Sequence, residues 1–68
     1  MYHLEIISPD EMLLYSRDFT DKIEMMIHYN TIKNNLNTCN QYHGDQMQLF
    51  EGVDYENMHE LERYRITL

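Results

Sequence analysis

The sequence predicts an α+β fold: a small antiparallel sheet in the order β-β-α-β-(short α)-β, with one main helix packed across one face. Three observations predict it. Short stretches near both ends alternate apolar and polar residues at strand period. The central stretch Asp21–Asn37 repeats its apolar residues at helical spacing. Turn residues separate these stretches at Pro9–Asp10 and at Gly44. One helix among several strands, without regular βαβ alternation, is most simply met by a helix lying on one face of an antiparallel sheet. With 68 residues there is room for one domain, 1–68, and one core.

The elements follow in order. "YHLEIIS", Tyr2–Ser8, sets Tyr2, Leu4 and Ile6 on one face and His3, Glu5 and Ile7 on the other. "SPDE" offers Pro9 and Asp10 to the central positions of a type I turn. "MLLYSRDF", Met12–Phe19, reads as a second strand, so the first two form a hairpin. Asp21 with Glu24 three residues later is a capping-box pattern. Both acids suit the positive end of the helix dipole, and Lys33 suits the negative end. Asn34, Asn35 and Asn37 compete for backbone hydrogen bonds, so the helix is expected to end near Asn37 or Thr38. "CNQYHGD" reads as a loop turning at Gly44. "QMQLFEGV", Gln46–Val53, alternates Met47 and Leu49 against Gln46, Gln48 and Phe50, as a third strand. Tyr55, Met58 and Leu61 are spaced by three behind Asp54, which suggests a short helix. "RYRITL" places Tyr64, Ile66 and Leu68 on one face of a fourth strand. The first and last strands are then expected to bring sheet edges, and neither carries Lys or Pro at its centre. Pairing across a homodimer is one way to cover such an edge.

Composition narrows the function classes. A chain of this size buries only ~60% of the surface its unfolded form exposes, so a disulfide, a metal or a second chain is a common aid. Cys39 is the only cysteine, which excludes an internal disulfide and fits a reducing, cytoplasmic setting. No apolar run approaches the ~20 residues that span a bilayer, and no signal-peptide core follows Met1. The net charge is −7, with 12 acidic residues against 5 basic ones. Direct nucleic-acid binding needs Lys and Arg against phosphate, and anionic membranes need the same, so neither is expected. A partner protein with a basic surface suits this charge. The scarcity of Ala, Gly and Pro beside abundant Asn, Ile and Tyr suggests an AT-rich genome.

No motif assigns chemistry. Cys39 and His43 stand at a C-x3-H spacing that zinc uses, with His28 or His59 as further donors, but the paired half of such a site is missing. A free thiol beside histidines of an Asn-rich loop accounts for the same residues, and no metal is assigned. A Cys39–His43 nucleophile pair lacks any patterned oxyanion hole or orienting acid. Asp10 and Glu11 at the hairpin tip read as solvated turn carboxylates. No catalytic residue and no cofactor is assigned, and the chain is read as non-enzymatic.

Two surfaces hold more information. From Gly44 to Glu62 there is no Lys or Arg, while Asp45, Glu51, Asp54, Glu56, Glu60 and Glu62 accumulate. Such a tract either keeps the chain soluble or steers it onto a basic partner. In a sharper version it mimics DNA, because carboxylates two apart on a strand lie ~6.6–6.8 Å from each other, and Asp54/Glu56 and Glu60/Glu62 have that spacing. The helix is the second surface. Met25, Tyr29, Ile32, Leu36 and Cys39 form a core stripe, yet Ile23, Met26 and Ile27 lie roughly opposite. Either residues 54–61 cover that second patch or a partner does.

In size, acidity and composition the chain is similar to small phage-encoded proteins that bind and inhibit a host protein. The expected function is a protein-binding module acting as an inhibitor or modulator. It would use Ile23, Met26 and Ile27 as anchor and Asp54, Glu56, Glu60 and Glu62 for steering. The alternatives are a DNA-mimic inhibitor of a nucleic-acid-binding enzyme, and a small dimeric structural or regulatory protein.

Overall fold

A computed structural model describes all 68 residues. Strands β1 (Tyr2–Ile7), β2 (Leu13–Phe19), β3 (Gln46–Gly52) and β4 (Met58–Arg65) form one sheet in the order β2-β1-β3-β4, each neighbour antiparallel. Helices α1 (Lys22–Asn34) and α2 (Leu36–Gln41) connect β2 to β3, and a single 3-10 turn at Tyr55–Asn57 precedes β4. The expected α+β architecture is present, with one main helix on one face. One detail of the edges differs. The N-terminal strand is central, because it pairs with both β2 and β3, so the edges are β2 and β4.

The register explains the core. Leu4 lies opposite Arg17 on one side and Leu49 on the other, and Ile6 opposite Tyr15 and Met47. Alternation then sends Leu4, Ile6, Met47 and Leu49 under the helix, where they are fully or almost fully buried. Phe19, Met25, Tyr29, Ile32, Cys39 and Ile66 complete one cluster of ten buried residues. Lys33 lies with its ammonium 4.9 Å from the Tyr29 ring centre and 4.5 Å from that of Tyr64, a cation over two aromatic faces. Burial pushes the Tyr29 hydroxyl up to about 12, and the negative charge of Glu62 adds to the shift.

The β1–β2 hairpin turns in three residues. The Glu11 N–H donates to the Ser8 carbonyl at 2.9 Å, which closes a turn with Pro9 and Asp10 at its centre. Glu11 itself sits at φ 64°, the left-handed position that follows a type I turn in such loops.

At the start of α1 the Asp21 side chain accepts from the Ile23 N–H at 2.8 Å. The cap forms as expected, although Glu24 makes no return bond to complete a box. The end of α1 differs from the sequence expectation of Asn37 or Thr38. Asn35 leaves helical geometry (φ −101°, ψ 119°) and its side chain caps a new helix through the N–H groups of Asn37 and Thr38. The helix end leaves carbonyls unpaired, and α2 supplies donors for them. Thr38 Oγ1 donates to the Ile32 carbonyl at 2.7 Å, and Cys39 Sγ to the Lys33 carbonyl at 3.2 Å. The predicted loop from Cys39 thus begins in helix α2. The break also turns Leu36 out of the expected core stripe, leaving it 75% exposed, while Cys39 reaches the core from α2.

The expected short helix after Asp54 is the 3-10 turn. Asp54 caps it, accepting from the N–H groups of Glu56 and Asn57 at 3.0 Å each. Met58 and Leu61 belong to β4, so that strand starts earlier than its sequence pattern suggests, and Leu68 lies beyond it, exposed.

A candidate protein-binding surface

The apolar patch on α1 is open. Ile23 is 68% exposed and Ile27, one turn on, is 61% exposed. At ~100° per residue both lie about opposite the Met25–Tyr29–Ile32 core stripe. Met26 does not belong with them: it is half-buried and packs against the core cluster. The expected trio is therefore a pair, Ile23 and Ile27, with Met26 below it as support.

Residues 54–61 do not cover this patch. Tyr55 folds over the other face of the sheet, its ring edge-on to His3 at 6.1 Å, and its hydroxyl donates to Asp18 Oδ2. The flank of α1 beside β2 instead forms a groove of about 330 Å3 lined by Arg17, Phe19, Glu24, Ile27, His28 and Thr31. His28 stacks on Tyr15 and leans on Phe19, with Tyr15 Oη and His28 Nε2 2.8 Å apart. Burial, and then the Arg17 charge, holds the His28 imidazole below its ordinary value of 6.5. A neutral ring accepts the Tyr15 hydroxyl proton, which agrees with this geometry.

The acidic tract does not form a row. Asp54 is the cap just described and also accepts from Asn57 Nδ2 at 2.9 Å. Glu56 stands in the 3-10 turn, so Asp54 and Glu56 are not strand neighbours. Glu60 lies opposite Phe50 and Glu62 opposite Leu49. That bulge puts Glu60 on the open face and Glu62 on the helix face. Glu60 also accepts from Arg63 Nε at 2.9 Å. The even phosphate-like spacing is thus absent from both pairs.

One cluster was not singled out from the sequence. His3 Nδ1 lies 2.6 Å from Asp18 and Nε2 lies 3.0 Å from Glu5. Which of the two ring nitrogens donates depends on the tautomer. With Tyr55 on the second oxygen of Asp18, this network ties the turn before β4 across the sheet to β2. The Tyr55 hydroxyl and His3 hold the Asp18 carboxyl below its usual range. The sequence signal was the alternation that put His3 and Glu5 on one face. Only the β1–β2 register adds Asp18.

The metal and thiol candidates do not converge. Cys39 is buried with its Sγ on a backbone carbonyl, while the exposed His43 accepts from the Leu68 N–H at 3.1 Å. His28 sits between Tyr15 and Phe19, and His59 faces Glu51 on β3 at 3.8 Å. No three His, Cys, Asp or Glu side chains stand in a metal-holding group. Asp10 and Glu11 are exposed at the hairpin tip. No helix is long and apolar enough to cross a membrane. Comparison with protein-family models, with curated proteins and with solved structures gave no match.

Proposed function

We propose that this chain is a non-enzymatic protein-binding module that docks through the outward face of α1 and modulates its partner. The observation that carries the reading is the exposure of Ile23 and Ile27, one turn apart, with no segment of the chain over them. Two isoleucines presented on a capped helix are an anchor of the helix-face kind, at the small end of what recognition uses. The acidic surface supplies steering toward a basic partner rather than a phosphate replica, because its carboxylates are divided between two faces. A role as inhibitor, as in small phage-encoded proteins, agrees with the size and charge.

The test uses Ile27→Asp, since Met26 is part of the core margin and its substitution would confound folding with binding. Partner capture is compared between wild type and variant at low and at moderate salt, alongside melting curves. Loss of a specific partner by the variant at unchanged melting temperature supports the reading. Equal capture by both sinks it.

A further inference from the structure

Strand β2 is an open edge of the sheet, and the exposed flank of α1 stands beside it. We propose that β2 pairs antiparallel with β2 of a second copy of this chain, so that the sheet runs on through both copies and the two α1 flanks close over the seam. The proposal rests on the protein-binding reading of α1 and names a second copy as the occupant of its Ile27 flank, a contact separate from the basic partner that the acidic surface would steer.

The choice of edge follows from charge. β4 carries His59, Glu60, Glu62, Arg63 and Arg65, a guarded edge. β2 carries only Arg17 and Asp18, which cancel, and it has no Lys or Pro; a bulge at Leu14, between the pairs Ile6–Tyr15 and Ile7–Leu13, interrupts it at one end only. Leu13 at its start is 59% exposed and Leu14 43%. Pairing at β2 also keeps the acidic halves apart. With strands ~4.8 Å apart, β4 and its copy stand about 34 Å from each other, several times the ~8–10 Å over which salt screens charge.

Symmetry then decides where the helices go. Antiparallel pairing of one edge with itself requires a two-fold axis normal to the sheet, which keeps both helices on the same face. α1 lies chiefly over β1 and β2. A helix above the gap between those strands sits ~5 Å from the seam, so the two axes come ~10 Å apart. That matches the 8–10 Å at which helices pack. Ile27 and the groove it shares with Arg17 and Phe19 would face their counterparts. Parallel pairing would put the helices on opposite faces and leave Ile27 and its groove in water, whereas Ile23, which lies outside that groove, stays exposed in either arrangement.

An overlap of Leu13–Phe19 centred on Ser16 keeps the regular residues Tyr15–Arg17 in the middle and leaves the bulge at Leu14 toward each end. Tyr15 then opposes Arg17 of the second copy on the helix side, a cation beside an aromatic ring repeated by symmetry. The strip involves about a dozen residues from each copy, against the 20–30 and ~800 Å2 per partner of a standard interface. The expected complex is therefore a weak, concentration-dependent dimer.

Ser16→Cys tests the register. Ser16 sits on the axis, where facing residues have the Cα separation a disulfide accepts, and the native thiol of Cys39 is buried. Under mild oxidation Ser16→Cys should form a covalent dimer well ahead of His59→Cys on the other edge. Sedimentation of the wild type between about 5 and 500 µM should show growing dimer, with a midpoint shifted more than tenfold by Ile27→Asp. A wild type monomeric throughout, or equal cross-linking at both edges, overturns the pairing. If Ile27→Asp still abolishes capture of another protein in that case, the docking reading stands without it. If Ile27→Asp changes neither dimer nor capture, both fall.

Discussion

Glu11 holds the one strained backbone position outside glycine. Left-handed geometry costs an L-residue about 1–2 kcal/mol, while glycine there adds roughly 0.5–1 kcal/mol of unfolded-chain entropy. Glu11→Gly should therefore raise stability by about 0.5–1 kcal/mol, read as a higher urea midpoint at unchanged slope. Gly52 predicts the reverse. A Cβ there would run into the backbone oxygen of Asn57 and come within 2.8 Å of Met58 Cα. Gly52→Ala should cost about 1–3 kcal/mol, because neither atom can swing aside. His28 gives a pH signature. Its folded value lies below 6.5, so the unfolded chain takes up a proton first as the medium acidifies. Its neutral-state packing costs nothing above 6.5 and lowers stability as pH falls from 6.5 toward the folded value. Melting temperatures between pH 7.5 and 5 should fall less steeply in His28→Gln than in the wild type.

The elements show how far local pattern reaches. The strand faces of β1 and β3 were legible because alternation has a period of two and both strands bury one face. The cap at Asp21 and the turn at Pro9–Asp10 were legible because each is a local side-chain or backbone preference. The break at Asn35 was not. Asn34, Asn35 and Asn37 all weaken a helix, and nothing local says which one gives way. What decides is that α2, once turned, brings Thr38 and Cys39 onto the carbonyls of Ile32 and Lys33. Asn35→Ala removes the cap of α2 and should cost about 1 kcal/mol. Circular dichroism would show whether α1 then runs straight on.

For the molecule as a whole, the surplus of 12 acids over 5 bases predicts self-repulsion. Raising NaCl from about 10 to 300 mM should raise the melting temperature by a few degrees, since screening lengths then fall below the size of the fold. The same salt should weaken a partner drawn by the acidic surface. Self-pairing at β2, where Arg17 and Asp18 cancel, should hold or strengthen. The candidate surface was half legible. Ile23 and Ile27 could be placed opposite the core stripe from helical geometry alone, but Met26 could not be told from them. Its angle on the helix is intermediate, and only the position of the sheet under α1 assigns it to the core.

The sequence by itself determined the faces of β1 and β3, the helix start, the turn residues and the excess of negative charge. These depend on neighbours within a few residues or on plain counting. Tertiary structure alone decided that β1 is central and β2 an edge, and that His3 meets Asp18. It also decided that Tyr55 folds away from α1, so that Ile23 and Ile27 stay uncovered. Those outcomes depend on strand order and register. They join residues far apart in the chain, and they are fixed by which faces can be buried together.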